Sequence, residues 1–260
     1  MSEDSGPIRF WLWPNVLSLD APLVAVLWQI LFARCFRVPV DALAVVLLLL
    51  TVWLIYAADR ILDARKGECR SPRHEFYRRY WPELLPVWIG ILGLTSWLAV
   101  EHLPAGLFLR GAALLGAVGM YFALVHSGIL LRWPKEAAVG VLFALGASLV
   151  AWGKVRTAAD VATILLFSGL CWMNCIAIQR WEVEKLDWSP RIAAMVLACA
   201  AVTLLCTHRP ILGGAELASA FAFLLLSHQR RRLSADALRV LADVALLSPL
   251  LFLPIAAGSR

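Results

Sequence analysis

The sequence has 260 residues, of which 61% are hydrophobic and 16% are charged, and its mean hydropathy is +0.76. A soluble domain of this length does not need so apolar a composition to build its core, so the composition excludes an ordinary globular protein and indicates that lipid is the solvent. The formal net charge of +6 is explained by basic loops beside the membrane, and no nucleic-acid partner is expected from it.

Apolar runs of about 17 to 23 residues recur along the whole chain, which is the length a helix needs to cross a bilayer. They lack two-residue alternation and are rich in Leu, Ala and Val, so they predict helices and exclude a barrel. The sequence therefore predicts an all-α membrane protein with about nine helices in a single domain, residues 1–260. The predicted spans are 19–36, 40–58, 82–100, 104–125, 136–153, 159–179, 191–207, 210–227 and 236–256.

The basic residues are distributed unequally between the two sides of such a bundle. Nine spans place 17 of the 24 Lys and Arg residues on the side of the N-terminus and six on the other, with Arg110 inside the fourth span. Because positive loops stay in the cytoplasm, this side is predicted to be cytoplasmic and the C-terminus to lie outside. A bacterial inner membrane is the expected location.

A pair of acidic residues follows the second predicted span. Asp59 and Asp63 are four residues apart and share one helix face, with Tyr56 about one turn earlier. Two carboxylates this close repel each other unless a cation lies between them, and a hard divalent ion that also binds phosphate oxygens would satisfy both. Arg70 and Arg73 follow and can hold the same phosphates through charge-assisted hydrogen bonds. A solvated helix end, whose acids pair with neighbouring Arg and Lys, explains the spacing equally well.

A second acidic cluster, with Glu182 and Glu184, follows the sixth predicted span on the same side of the membrane. Taken alone, these acids are better explained as solvent-facing partners of nearby basic side chains. Asn174 lies about a turn and a half inside that span, where an amide faces a wet cavity or bonds to another helix.

Other polar residues belong to the same side. Asp20 begins the first span, Asp243 lies within the ninth, and Tyr121 and Lys135 bracket the connection between the fourth and fifth. An Asp at membrane depth is a functional candidate by default, although pairing with a neighbouring helix is an equal explanation.

With acidic clusters at the ends of the second and sixth of nine helices, the whole chain resembles the UbiA superfamily of intramembrane prenyltransferases. In that family an Asn-Asp-x-x-Asp-x-x-x-Asp motif ends helix two, an Arg-Thr-x-x-Arg-Pro element follows, and a second aspartate motif ends helix six. Asp59 and Asp63 match the last two aspartates of the first motif, and Arg70 and Arg73 look like the arginine-rich element. Lys135 is similar to the basic residue that the family uses on the diphosphate.

The sequence departs from the family motifs at several positions. Ile55 and Tyr56 stand where the first motif has its Asn and first Asp, Arg180 replaces the first aspartate of the second motif, and Glu184 takes its second acidic position. The resemblance implies transfer of a polyprenyl group from its diphosphate to an aromatic or other lipophilic acceptor, with Mg²⁺ as cofactor. It implies that Asp59 and Asp63 are catalytic, that Asp59, Asp63, Glu182 and Glu184 hold the metal, and that Arg70, Arg73, Lys135, Tyr121, Asn174 and Asp243 bind substrate.

Three other functions are alternatives to prenyl transfer. A non-catalytic lipid-binding or assembly protein of the same fold is the main rival, because missing carboxylates weaken metal binding. Phosphatidyl transfer from a CDP-linked lipid is disfavoured, since the stretch from Asp59 to Arg65 lacks the glycine and downstream aspartate pair of such sites. A transporter would be suggested by two broken helices in matching halves of the chain, and the sequence shows no convincing internal repeat.

Overall fold

The computed structural model of the protein describes residues 10–65, 72–127, 135–182, 189–207 and 209–258. These residues are almost entirely helical, and no strand occurs among them. The α-helices are α1 (Trp13–Val16), α2 (Asp20–Cys35), α3 (Ala42–Arg65), α4 (Pro72–His102), α5 (Ala105–His126), α6 (Lys135–Ser148), α7 (Ala158–Glu182), α8 (Ser189–Thr207), α9 (Pro210–Gln229), α10 (Ala235–Ala245) and α11 (Pro249–Gly258). The prediction of an all-α chain is confirmed for this part of the protein.

Seven helical segments in the described ranges are long and apolar enough to cross a membrane, and an eighth is reached if the bent pair Phe10–Val16 and Asp20–Cys35 counts as one span. The seventh predicted span, 191–207, contains the shorter apolar helix Arg191–Val202. Every predicted span therefore coincides with helix, and the membrane character of the chain follows from the apolar length of these helices. The count of nine crossings stays a prediction.

Two of the apolar segments are interrupted, one before α2 and one near the middle of the last segment, Ala235–Gly258. The chain bends by 73° between α1 and α2, and Ser18 adopts a left-handed backbone conformation there (φ 56°). A second interruption, at residues 246–248, separates α10 from α11. Backbone carbonyls released at such breaks need a donor, because lipid supplies none. Indole groups supply it: Trp53 donates to the carbonyl of Leu17 at 3.1 Å, and Trp28 to that of Leu246 at 2.8 Å.

The interior is built around α2 and α7. The ring of Trp28 stacks on that of Phe167 with centroids 4.1 Å apart, and Phe32 lies beside both. Two glycines allow close helix approach: a Cβ at Gly140 would lie 2.8 Å from the Ser168 carbonyl on α7, and one at Gly213 would lie 2.6 Å from a backbone nitrogen of α8. Small residues thus set the closest helix contacts, as is usual where lipid provides no hydrophobic drive for association.

Helices α4 and α5 lie on the outside of this core. α4 packs on α3, whereas α5 packs on α6, and the two helices are not main packing partners of each other. Their large apolar side chains are exposed, including Trp97, Val100, Leu109 and Met120. In a membrane such surfaces face lipid rather than water. The exposed faces of α4 and α5 are therefore an apolar surface beside the core.

Candidate functional site

Four polar residues from four helices meet at the two helix breaks, and we call them the Asp20 cluster: Asn15, Asp20, Asn174 and Asp243. The Asn15 amide nitrogen donates to Asp20 Oδ2 at 2.5 Å and also lies 3.4 Å from Asp243 Oδ2. The Asn174 amide donates to Asp243 Oδ1 at 3.0 Å. Two carboxylates, from α2 and α10, thus lie within reach of one amide group.

The position of this cluster follows from local structure. Asp20 is the first residue of α2, where an acidic side chain interacts favourably with the positive helix end, and its Oδ1 accepts a bond from the Ala21 amide at 2.9 Å. Asp243 precedes the α10–α11 break by three residues. The Tyr77 hydroxyl of α4 donates to the Ser18 hydroxyl at 3.2 Å, and this bond ties the α1–α2 bend to α4. Both carboxylates, Asp20 and Asp243, therefore lie beside a helix break.

Further polar groups interact electrostatically with the Asp20 cluster. The phenol of Tyr56 lies within electrostatic range of Asp20, Asp243 and Arg60, and the Cys175 thiol within range of Asp59, Glu136 and Asp243. Asn174 Oδ1 is buried and finds no hydrogen-bond partner among the described groups. Since a buried carbonyl oxygen left without a donor costs stability, this atom is available to a donor on a ligand.

The structure brings some of the predicted site residues together. Asn174 and Asp243 are hydrogen bonded, and Asp59 lies near the next residue, Cys175. Lys135 is exposed at the start of α6, and Tyr121 is half-buried on α5, where its ring contacts Phe122. Arg70 and Glu184 lie outside the described residues, and so do the side chains of Asp63, Arg73 and Glu182, whose backbones are helical.

The magnesium prediction can be examined only at Asp59, since it is the predicted metal ligand whose side chain is described. Its Oδ2 lies 3.7 Å from an Arg60 guanidinium nitrogen, an ion pair of the kind expected for a solvated helix end. In the described part of the chain, no group of three or more His, Cys, Asp or Glu side chains could hold a metal. One paired carboxylate does not fit magnesium by itself, so the metal stays a prediction.

A different ionic site lies at the opposite end of the bundle, where α2 ends and α7 and α9 begin. Asp160 is almost fully buried, and its Oδ2 accepts the backbone amides of Arg156 and Thr157, both at 2.9 Å. The Asp160 amide in turn donates to Thr157 Oγ1 at 3.2 Å, which makes a reciprocal cap at the start of α7. Arg209 completes the site by pairing with Asp160 through Nε, at 2.9 Å, and Nη2.

Sequence reasoning missed this ion pair and also Glu216. The signal for the first was present: Thr157 and Asp160 have capping-box spacing before an apolar run. Glu216 was visible as a lone acid inside a predicted span. Its side chain is 1% exposed, and neither carboxyl oxygen has a hydrogen-bond partner among the described residues.

Comparison with known proteins gives no relative: the chain matches no protein-family model, no curated protein and no solved structure. The resemblance to intramembrane prenyltransferases therefore depends on the quoted residues alone.

Proposed function

We propose that this protein is an intramembrane prenyltransferase that moves a polyprenyl group from its diphosphate to an aromatic or other lipophilic acceptor. The observation that carries the proposal is the Asp20 cluster, in which Asp20 and Asp243, both within predicted membrane spans, are held by side-chain amides. Carboxylates in this setting are costly and are kept where they bind or react. Tyr56 and Cys175 interact electrostatically both with this cluster and with Arg60 and Asp59 near the C-terminal end of α3.

The chemistry needs three environments, and the described residues offer candidates for two of them. The prenyl chain needs an apolar surface that excludes water in the membrane, and the exposed faces of α4 and α5 have that character. The acceptor needs a base, and Asp243 is a carboxylate oriented by two amides. The third environment is a cationic pocket for the leaving diphosphate. The Arg and Lys residues of the predicted motifs would form it.

The proposed transfer breaks one carbon–oxygen bond and forms one carbon–carbon bond. The allylic carbon–oxygen bond of the diphosphate breaks, and both electrons leave with the diphosphate. A nucleophilic carbon of the acceptor forms the new bond to the prenyl carbon, and the proton that this carbon loses passes to Asp243. Asn174, which bonds to Asp243, orients the carboxylate and offers its buried carbonyl oxygen to the acceptor.

The two helix breaks favour a second candidate, cation-coupled transport. Discontinuous helices that present carboxylates and freed carbonyls at one place are a common way to bind an ion inside a membrane. Here the α1–α2 and α10–α11 breaks meet through Asn15 and Asp243. Transport predicts that sodium or another small cation binds without any prenyl compound.

A ligand-stabilisation experiment separates the candidates, since a ligand that binds the folded state raises its apparent stability. Purified protein in detergent is heated with a prenyl diphosphate plus magnesium, with each alone, and with sodium alone. The test variant is the double substitution Asp59→Ala, Asp63→Ala. The control is Asp41→Ala, which removes an exposed acid just before the opposite end of α3.

Stabilisation that needs both diphosphate and magnesium, is lost in the double variant and persists in the control supports the prenyltransferase. Stabilisation by sodium alone supports transport. If no ligand at saturation raises the thermal stability, the remaining candidate is a non-catalytic lipid-binding or assembly protein. In that case the Asp20 cluster only connects four helices.

A further inference from the structure

A cavity of about 610 Å³ opens at the Arg209 end of the bundle, away from the Asp20 cluster. It lies between the C-terminal turn of α2, the first turn of α9 and the last turn of α11. Apolar side chains form much of its wall, among them Val38, Ile211, Leu212 and Ala256, and three arginines line it: Arg34, Arg37 and Arg209. The volume is within the range of about 300 to 1,000 Å³ that is typical of small-molecule sites.

Two of these arginines are positioned by specific contacts. Arg209 pairs with Asp160, donates to the Cys35 carbonyl at 3.4 Å and stacks on the Phe36 ring at 4.5 Å, yet its side chain remains 28% exposed. Arg34 donates one guanidinium bond to the Leu253 carbonyl of α11 at 2.8 Å. Each guanidinium has five N–H donors, so both keep donors for an anion.

Arg37 is placed by a backbone turn. It follows the end of α2 in a left-handed conformation (φ 54°), and its amide donates to the Arg34 carbonyl at 3.1 Å. Its side chain is exposed. The carboxylate described at this site, Asp160, neutralises part of the charge of Arg209, while Arg34 and Arg37 add two further positive charges beside the apolar wall.

We propose that this cavity binds the phosphate headgroup of an anionic phospholipid. Planar guanidinium groups bind phosphate oxygens in pairs, and they do so more strongly where water is partly excluded. The cavity lies at the ends of membrane-spanning helices, which is the level of lipid headgroups. Leu251 and Ile255 are exposed on α11, the helix that contributes Ala256 and Ala257 to the cavity wall, so the acyl chains of the same lipid have an apolar helix face to pack on.

Native mass spectrometry of the full-length protein tests this site. Delipidated protein in detergent is titrated with phosphatidylglycerol, with phosphatidylcholine and with inorganic phosphate, and the first bound lipid is counted. The variant Arg34→Gln, Arg37→Gln removes the two exposed cations. The matched control, Arg78→Gln, Arg79→Gln, removes two exposed arginines of α4 at the other end of the bundle.

The expected result is preferential binding of phosphatidylglycerol that weakens by about tenfold in the Arg34, Arg37 variant and is unchanged in the control. If phosphatidylglycerol binding weakened equally in both double variants, the effect would come from the overall charge of the protein, and the proposed site would be overturned. Displacement of the lipid by inorganic phosphate at similar concentration would assign the cavity to a soluble phosphate and overturn the lipid assignment. These outcomes do not depend on whether the protein binds a prenyl diphosphate or transfers its prenyl group.

Discussion

Two regions of the bundle hold carboxylates in different ways. At the Arg209 end, Asp160 accepts two backbone amides and pairs with a guanidinium, so both its charge and its hydrogen-bonding capacity are matched. In the Asp20 cluster, Asp20 and Asp243 are only half-buried, and they accept hydrogen bonds from the side-chain amides of Asn15 and Asn174.

This difference indicates different roles. A carboxylate that is fully matched stabilises the fold and has little left to offer a ligand. The Asp20 cluster includes a buried carbonyl oxygen, Asn174 Oδ1, that has no hydrogen-bond partner among the described groups, so it still has an interaction to offer a ligand. We therefore expect substitutions at the Arg209 end to affect stability first, and substitutions in the Asp20 cluster to affect function first.

The largest effect is expected from Arg209→Met. It leaves the buried charge of Asp160 without its cation, and breaking such a pair costs about 3–5 kcal/mol. Thermal unfolding in detergent should show a large loss of stability, whereas Arg156→Gln, which alters an exposed neighbour, should unfold like the parent. Similar unfolding of the two variants would show that the ion pair contributes nothing.

Gly140→Ala should destabilise the core by about 1–3 kcal/mol, because the added methyl group meets backbone atoms that cannot move cheaply. The structure places that Cβ 2.8 Å from both the Ser168 carbonyl and the Trp172 amide nitrogen. Gly116→Ala on α5 is the matched control, with nothing within 4 Å, and it should gain up to about 1 kcal/mol from helix propensity. A loss of stability in the control would contradict the assignment of this face of α5 to lipid.

Asp243→Asn should separate function from stability. Relief of repulsion with Asp20 offsets the lost acceptor, so the free energy of unfolding should change by only about 1 kcal/mol. Prenyl transfer should fall by about 100-fold, because the amide cannot take the proton. Prenyl transfer is measured as the amount of product formed, and stability is measured by the same thermal unfolding. Full activity in this variant would remove Asp243 from the proposed chemistry.

Ser234→Ala should have the smallest effect. The Ser234 hydroxyl caps α10 by accepting the Ala237 amide at 3.2 Å, and loss of an N-cap costs about 1 kcal/mol. Because α10 carries Asp243, local hydrogen exchange should rise in its first turn while Ser234→Thr stays close to the parent. Unchanged exchange in the alanine variant would mean that packing alone fixes this helix start.

The fold was more predictable than the site. Long apolar runs must become helices in lipid, so each predicted span coincides with helix in the described residues. The division between buried and lipid-facing helices was not predictable, because α5 and α9 are similarly apolar in sequence. Asn174 and Asp243 were identified as candidates, but the contact of Asp243 with Asn15 depends on two helix breaks. The sequence marks only the second of them, through Pro249 at the start of α11.

The sequence by itself determined that the chain is a helical membrane protein and where its helices lie, because the cost of burying unpaired backbone groups in lipid acts on every segment locally. Its charge pattern also predicted the orientation of those helices. Only the tertiary structure decided which polar groups meet: it placed Asp160 against Arg209 and Asp20 beside Asp243. Those contacts join residues far apart in the chain, and they form only when helix packing and the bends of α1–α2 and α10–α11 bring them together.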